Sequence, residues 1–438
     1  MYDLASNRSQ TAWRSKPVAK KKTEILVIGG GPAGLAAAEA ASSHGKQVTV
    51  IDENPAFGGQ IWRAEKSELS EKAKNLVEAL EKNGVEMIAS CTCVASLPDK
   101  RILALSNGKT FPIRYDKVII ATGAREQFVP FPGWTLPGVF GAGGLQALVK
   151  GGYDISGKRI VVAGTGPLLL AVAAYLKKKG GNVILIAERT DLLSLIGFGL
   201  SALRVPGKWR EALELRKEIR GISYMTSSSV LWADGNGKLS RVTITNDNEE
   251  SEIECDLLAI GWHLVPNLEV PTLFGCDLLA CAVNADEYMR TSVEDVLSAG
   301  EINFVGGLEL SLIEGKIAGH SAAENLEAAR GLLAKRSRLL TFASSMLNTF
   351  LTDPEELRKA VTNDTIVCRC EDVPYGRVKD LKGFNEAKLE TRLGMGQCQG
   401  RVCGSACEVL FGWEANSVRP PLVPLKISEL ANFETENK

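Results

Sequence analysis

Apolar residues in this chain fall into short unbroken runs that end in glycine, each followed by a stretch of helical character. Residues 23–28, Thr-Glu-Ile-Leu-Val-Ile, are the first such run. An unbroken run of this length predicts a strand buried on both faces, as in a parallel sheet. The alanine-rich residues 33–42 predict a helix and residues 48–52 a second strand. Together they make one strand–helix–strand unit of a doubly wound sheet. The same grammar returns at 158–163 (strand), 164–166 (turn), 168–179 (helix) and 182–187 (strand), which predicts a second nucleotide-type domain. Residues 85–118 alternate instead, around an Asn107-Gly108 hairpin signal, and predict an antiparallel excursion before a buried strand at 115–123. Residues 308–333 predict one or two amphipathic helices.

These elements give a working partition. Residues 1–23 form an N-terminal arm. Residues 24–140 and 268–330 form a split first domain, with 141–267 as the second. Residues 331–362 are a helical linker, 363–412 a cysteine-bearing module and 413–438 an extended tail. The arm is polar and lacks a signal-peptide pattern. The longest apolar stretch, 164–176, is interrupted by glycine and proline, so no transmembrane segment is expected. A formal net charge of −1 gives no electrostatic case for nucleic acid or an anionic membrane. A chain of 438 residues with ten cysteines is large enough to bury a core without disulfides. The clustering of its cysteines therefore points to metal binding in a reducing, cytoplasmic setting.

The cluster is Cys368-Arg369-Cys370 followed by Cys398-Gln399-Gly400-Arg401-Val402-Cys403. Four thiolates at this spacing suit one 2Fe–2S centre. Zinc is the competing occupant, although zinc sites usually show two C-x2-C knuckles. Cys407 is a spare. Cys255, Cys276 and Cys281 read as buried small residues, and so do Cys91 and Cys93 in the excursion.

Gly29-Gly30-Gly31-Pro32-Ala33-Gly34 satisfies G-x-G-x-x-G between strand and helix. Gly29 permits the turn, Gly31 lets backbone approach a pyrophosphate, Gly34 lets helix and strand pack, and the helix start at Pro32 and Ala33 faces the phosphates. Asp52 ends the second strand in position for ribose hydroxyls, with Glu53 as the neighbouring alternative. Val94 is placed to offer backbone to an adenine. Gly164 and Gly166 open a second fingerprint, but Leu169 stands where its third glycine belongs. Glu188 after the next strand favours NAD over NADP there; an adenine-nucleotide-occupied or empty relic is the alternative. His263 reads as a packing or hydrogen-bonding residue, and His44 and His320 lack metal-ligand spacing. No cysteine pair lies in residues 52–60 and no C-x-x-C in the middle domain, so the chain lacks the equipment of a disulfide reductase.

Ala121-Thr122-Gly123 and Ala299-Gly300-Glu301 resemble the A-T-G and G-D motifs of the glutathione-reductase-like class. The implied fold is an α/β two-dinucleotide-binding-domain flavoprotein, here with a small C-terminal iron–sulfur domain. In that class the acid at position 301 bonds the ribityl chain of FAD; this chain has Glu for Asp.

Longer strings narrow the resemblance. They are Glu53-Asn54-Pro55-Ala56-Phe57-Gly58-Gly59-Gln60-Ile61-Trp62, Ala124-Arg125-Glu126, Phe131-Pro132-Gly133-Trp134, Arg290-Thr291-Ser292 and Gly394-Met395-Gly396-Gln397-Cys398. Over residues 24–412 the chain resembles the alpha subunits of heteromeric FAD-dependent amine dehydrogenases. That family includes opine oxidase, hydroxyproline and proline dehydrogenase, and the B subunit of hydrogen cyanide synthase. Its cysteine module is similar to the bacterioferritin-associated-ferredoxin-like 2Fe–2S domain, with C-x4-C for C-x2-C.

The resemblance implies FAD on Gly29, Gly31, Gly34, Asp52, Gly59, Gln60, Thr122, Gly123, Gly300 and Glu301, and a cluster on the four cysteines. It implies a beta subunit, related to glycine and D-amino-acid oxidases, that oxidises an amine and passes electrons through this chain to a downstream acceptor. Some members hold FMN between subunits, and no residue here is assigned to it. The chain offers no general base for substrate oxidation. Two other readings stay open: a self-sufficient NADH-dependent reductase of a small carrier, and a zinc-stapled or nucleotide-stabilised assembly subunit.

Overall fold

The computed structural model describes residues 21–62, 71–202, 205, 207–246, 249–351, 353–414 and 418–431. Residues 1–20 of the expected arm and 432–438 of the tail lie outside the described residues. Lys21–Ile28 is already the first strand.

Lys21–Ile28 lies at the centre of a mixed sheet. Val48–Ile51 and Glu86–Ile88 follow on one side and Lys109–Ile120 on the other. Lys109–Ile120 is long enough to serve two further partners along its other edge. Its first half pairs antiparallel with Arg101–Ser106 across the Asn107-Gly108 turn, and its second half pairs parallel with Val296–Ser298. Both turn residues take positive φ, 50° and 72°, as a type I′ hairpin turn requires. The second domain has a five-stranded parallel sheet in the order Ser223–Met225, Asn182–Glu188, Arg159–Gly164, Leu257–Gly261, Val139–Gly141. A three-stranded antiparallel sheet spanning residues 228–254 is inserted before the fourth of these.

Two boundaries differ from the sequence partition. Val139–Gly141 belongs to the second sheet, and Phe131 and Trp134 sit in the second domain's core. The chain crosses earlier than residue 140, through Ala124–Glu126. It returns through Leu264–Pro266, and these two short strands pair antiparallel. The helix Leu326–Thr349 runs straight through the expected junction at 330, because its first half is committed to the first domain's core through Ala329 and Leu339.

Small residues set how closely the first domain's helices approach. Pro32–Ser42 packs on Gly307–Ala322 through Ala33, Ala37 and Ala40 against Gly315 and Gly319. A Cβ on Gly315 would lie 2.1 Å from the Ala33 carbonyl oxygen. Next to Gly315, the fully buried Glu314 accepts from Arg336 Nε (2.9 Å), Gly300 N–H (3.1 Å) and Asn303 Nδ2 (3.3 Å). This acid joins the loop at residues 300–303 to both long helices. Burial raises its pKa, and the Arg336 guanidinium opposes that shift. Arg336→Met is expected to strand the carboxylate and lower unfolding free energy by about 3–5 kcal/mol. Urea denaturation with matched slopes measures this; a loss below about 1 kcal/mol would mean Glu314 simply takes up a proton at little cost.

Candidate functional site: a nucleotide cleft joined to a four-thiol module

Each glycine of the first fingerprint has a separate steric reason. Gly29 has φ +107°, and a Cβ there would sit 2.3 Å from the Ala121 carbonyl oxygen. A Cβ on Gly34 would lie 1.8 Å from the Gly29 oxygen. A Cβ on Gly31 would meet only Gly59 Cα, in ordinary contact at 3.8 Å, so packing within the chain does not require this glycine and close approach of a pyrophosphate is what its bareness serves. Gly58 N–H donates to the Gly30 oxygen (2.8 Å), which lays residues 58–60 across the turn. Pro32 and Ala33 open the helix behind it.

Asp52 is 6 % exposed, whereas Glu53 points to solvent. Asp52 accepts from Gly30 N–H (2.6 Å), Asn54 N–H (2.8 Å) and Asn54 Nδ2 (2.9 Å). A carboxylate has about four lone-pair positions, so one acceptor site remains for a ribose hydroxyl. Gly300, with φ +83°, packs against Ala33 of the fingerprint helix. Its neighbour Glu301 accepts from Gly307 N–H at the start of Gly307–Ala322, and burial raises its pKa. The carboxylate therefore caps the start of that helix. An open Gly31, an acid with spare acceptor capacity and crowded glycines on either side fit an adenine dinucleotide such as FAD.

The Val94 carbonyl accepts from Leu422 N–H (2.9 Å) of the tail, which uses one of its two lone pairs, and its side chain is buried with Leu103 beside Leu425.

Thr122 and Gly123 are held by Asn267, the last residue of the return segment. Thr122 Oγ1 donates to the Asn267 carbonyl (3.0 Å), Asn267 Nδ2 donates to the Thr122 carbonyl (2.9 Å), and Asn267 N–H donates to the Gly123 carbonyl (2.9 Å). Arg125 then bonds Asn267 Oδ1 (2.7 Å), pairs with Glu269 (3.0 Å) and donates to the Arg401 carbonyl (3.1 Å). Arg401 pairs with Glu269 in turn (3.4 Å). Burial pulls the Arg125 guanidinium below its usual pKa, and Glu269 works against that. Arg401 lies between Cys398 and Cys403, so a continuous polar bridge links the cleft's Thr122-Gly123 loop to the cysteine loop.

The four predicted cysteines come together. The hairpin of Ile366–Cys368 and Val373–Pro374 carries Cys368 and Cys370; Cys403 opens the helix Cys403–Phe411. Cys403 hydrogen-bonds Cys368, and Cys398 hydrogen-bonds Cys370. Cys403 and the N–H groups of Gly394, Glu371 and Cys370 pull the Cys368 thiol down to about 6, while its partner Cys403 is pushed up. Gly396 is obligatory, since a Cβ there would fall 2.1 Å from Cys370 Cβ. Cys368 and Cys403 are buried, Cys398 is half-buried and Cys370 is exposed. Among the described residues no group of three or more His, Cys, Asp or Glu closes around a single ion. The hairpin docks on the second domain through Trp134 Nε1, which donates to the Ile366 carbonyl (2.6 Å), with Arg369 over the Trp134 ring.

The second fingerprint solves its packing in reverse. Gly164 has φ +128° and faces the Gly261 oxygen, as Gly29 faces that of Ala121. Leu169 is fully buried, and a Cβ on Gly261 would lie 3.2 Å from its Cδ2. The first domain pairs glycine on the helix with alanine on the strand; the second pairs leucine with glycine.

His263 donates to the Phe350 carbonyl. His44 Nε2, in the turn after Pro32–Ser42, and His320 Nδ1, on Gly307–Ala322, meet at 2.9 Å. All ten cysteines are free. Sequence alone did not point to Asn267, Glu269 or the bridging roles of Arg125 and Arg401. Arg125 and Arg401 stood out only as members of strings notable for other reasons.

The pyridine nucleotide-disulphide oxidoreductase family model matches residues 23–330. The A subunit of opine oxidase from Rhizobium meliloti (strain 1021) is 29 % identical, over 94 % of this chain and 98 % of its own length. The HcnB subunit of hydrogen cyanide synthase from Pseudomonas protegens is 27 % identical, over 87 % and 90 %. Among solved structures, L-proline dehydrogenase from P. horikoshii superposes with a TM-score of 0.67 at 20 % identity, covering 96 % of this chain and 82 % of that one. Lactococcus lactis thioredoxin reductase gives 0.53 at 20 % identity, over 72 % and 99 %. With both fingerprints in place and the family matched across both nucleotide domains, the chain is a flavin-dependent oxidoreductase of the pyridine nucleotide-disulphide oxidoreductase family.

Proposed function

We propose that this chain is the FAD- and 2Fe–2S-bearing electron-transfer subunit of a heteromeric amino-acid or opine dehydrogenase. Amine oxidation would take place on a partner beta subunit of the glycine/D-amino-acid oxidase type. The observation that carries the reading is the Asn267–Arg125–Glu269–Arg401 bridge, because it ties a nucleotide cleft to a four-thiol module in one rigid junction. The relatives named as subunits of opine oxidase and hydrogen cyanide synthase support the heteromeric part.

When bound, FAD and the cluster supply the electron-carrying chemistry. The residues of this chain bind and orient them. Gly29, Gly31, Gly34, Gly59, Gln60 and Asp52 hold the adenine dinucleotide, and Thr122, Gly123, Gly300 and Glu301 face its far half. Cys368, Cys370, Cys398 and Cys403 hold the cluster. Arg125 and Arg401 keep the two sites in fixed register and place positive charge beside the thiolates. FMN at a subunit contact remains part of the family resemblance, without a residue assigned here.

Anaerobically purified chain is expected to show flavin bands with a broad visible shoulder, and about two irons and two sulfides per chain. Its flavin should stay oxidised when NADH alone is added. Stoichiometric zinc without iron, or rapid bleaching by NADH, would overturn the proposal.

A further inference from the structure

We infer that the nucleotide crevice of the second domain is occupied by the chain's own linker, so that this domain does not take up a nicotinamide dinucleotide. The sequence pattern alone would put NAD, or another adenine nucleotide, on Gly164, Gly166 and Glu188. In open α/β sheets such ligands bind outside the carboxyl ends of the central strands. Here those ends are Gly164, Glu188 and Gly261, and Phe350, Asp353 and Glu356 of the linker reach the segments that leave all three.

At the first strand end, Phe350 Cγ is the atom nearest to a Cβ built on Gly166, at 3.9 Å, an ordinary contact like that of Gly59 with Gly31 but made by a bulky ring of the linker. Gly166 is the glycine whose bareness should admit a pyrophosphate. Phe350 ends a 24-residue helix, yet it is only 5 % exposed, while Leu351 beside it is 71 % exposed. Phe198 meets its ring edge-on at 5.2 Å and stacks on Phe342 at 5.4 Å. At the third strand end, His263, two residues past Gly261, donates to the Phe350 carbonyl. At the second, Arg189, the residue after Glu188, forms an ion pair with Glu356. Asp353 adds negative charge near Arg189 and caps the helix Pro354–Lys359 by accepting from Glu355 N–H (2.9 Å).

The ribose acid is enclosed as well. Glu188 is 2 % exposed and accepts from Gly166 N–H (3.0 Å) and Thr190 N–H (2.9 Å). The mouth itself carries Asp353, Glu355 and Glu356, which disfavour a pyrophosphate, and the nearby Arg189 is already paired. Arg358 of the same short helix donates to the Val409 carbonyl (2.9 Å) in the helix that starts at Cys403. The plug therefore also anchors the thiol module.

The test is equilibrium dialysis of NADH against the full chain carrying its own flavin. Wild type is expected to show no saturable binding. The double variant Phe350→Ala/Glu356→Gln is expected to bind NADH saturably, at least ~10-fold more tightly. Should Phe350→Ala fail to fold, Glu356→Gln alone decides: it lies on an exposed helix, and losing its ion pair should improve binding about threefold. Saturable NADH binding to wild type overturns the inference. So does the absence of any gain in a variant that keeps wild-type flavin content and unfolding midpoint.

Discussion

Cys398→Ser is expected to purify with its full flavin complement and less than about a tenth of the iron and sulfide of wild type, because a 2Fe–2S centre of this type needs four thiolate ligands. Serine preserves the size of the side chain but supplies no thiolate near neutral pH. The position is half-buried in a loop, so the fold should survive. Cys407 will not replace it. It lies one turn beyond Cys403 on the same helix, buried in the module's core, and burial pushes its thiol up to about 12. Cys407→Ser is thus the matched control and should keep its iron. Inductively coupled plasma analysis, with flavin released from the same sample, separates loss of the cluster from loss of the fold. A full iron–sulfide complement in Cys398→Ser would remove that residue from the ligand set.

Gly34→Leu should be more damaging still, although leucine occupies the equivalent position in the second domain. In the first domain the added Cβ would fall 1.8 Å from a backbone oxygen and 3.2 Å from Val27 Cγ1. Backbone cannot give way as a flexible side chain can. Ala121 holds the facing strand position, where the second domain has Gly261. The expected cost is more than ~3 kcal/mol, at or beyond the usual range for overpacking. The variant should be largely insoluble, and any soluble fraction free of FAD. Soluble protein with stoichiometric FAD would show that the helix can slide outward and that the glycine is not required for packing.

What the sequence revealed and what it concealed divide along a physical line. Gly29, Gly31, Gly34 and Asp52 were legible because a tight strand–turn–helix is a local problem solved within a few residues. The Asn107-Gly108 hairpin was legible for the same reason. The four cysteines could be picked out because few other roles require thiols at such close spacing. The bridge was not legible: Asn267, Arg125, Glu269 and Arg401 come from separate segments, and each alone looks like an ordinary surface residue. Glu314 read as the polar side of an amphipathic helix; only the arrival of Gly300 and Arg336 makes it a buried joint. Phe350 read as one more apolar position in a helical linker, since periodicity reports that a side chain is covered but not by what. Leu169 looked like a defect because the residue that accommodates it, Gly261, lies on a strand far along the chain.

The paired strands Ala124–Glu126 and Leu264–Pro266 carry the chain out to the second nucleotide domain and back, and they lie side by side. Mechanically they form a strap, and a strap defines one axis of torsion. Arg125 sits within that strap, and Asn267 follows it immediately. Any twist of one domain against the other must therefore load the contacts that hold the Thr122-Gly123 loop and the Arg401 segment. The junction between the cleft and the thiols is placed where it would register torque, as a strain gauge is fixed to the narrowest part of a beam.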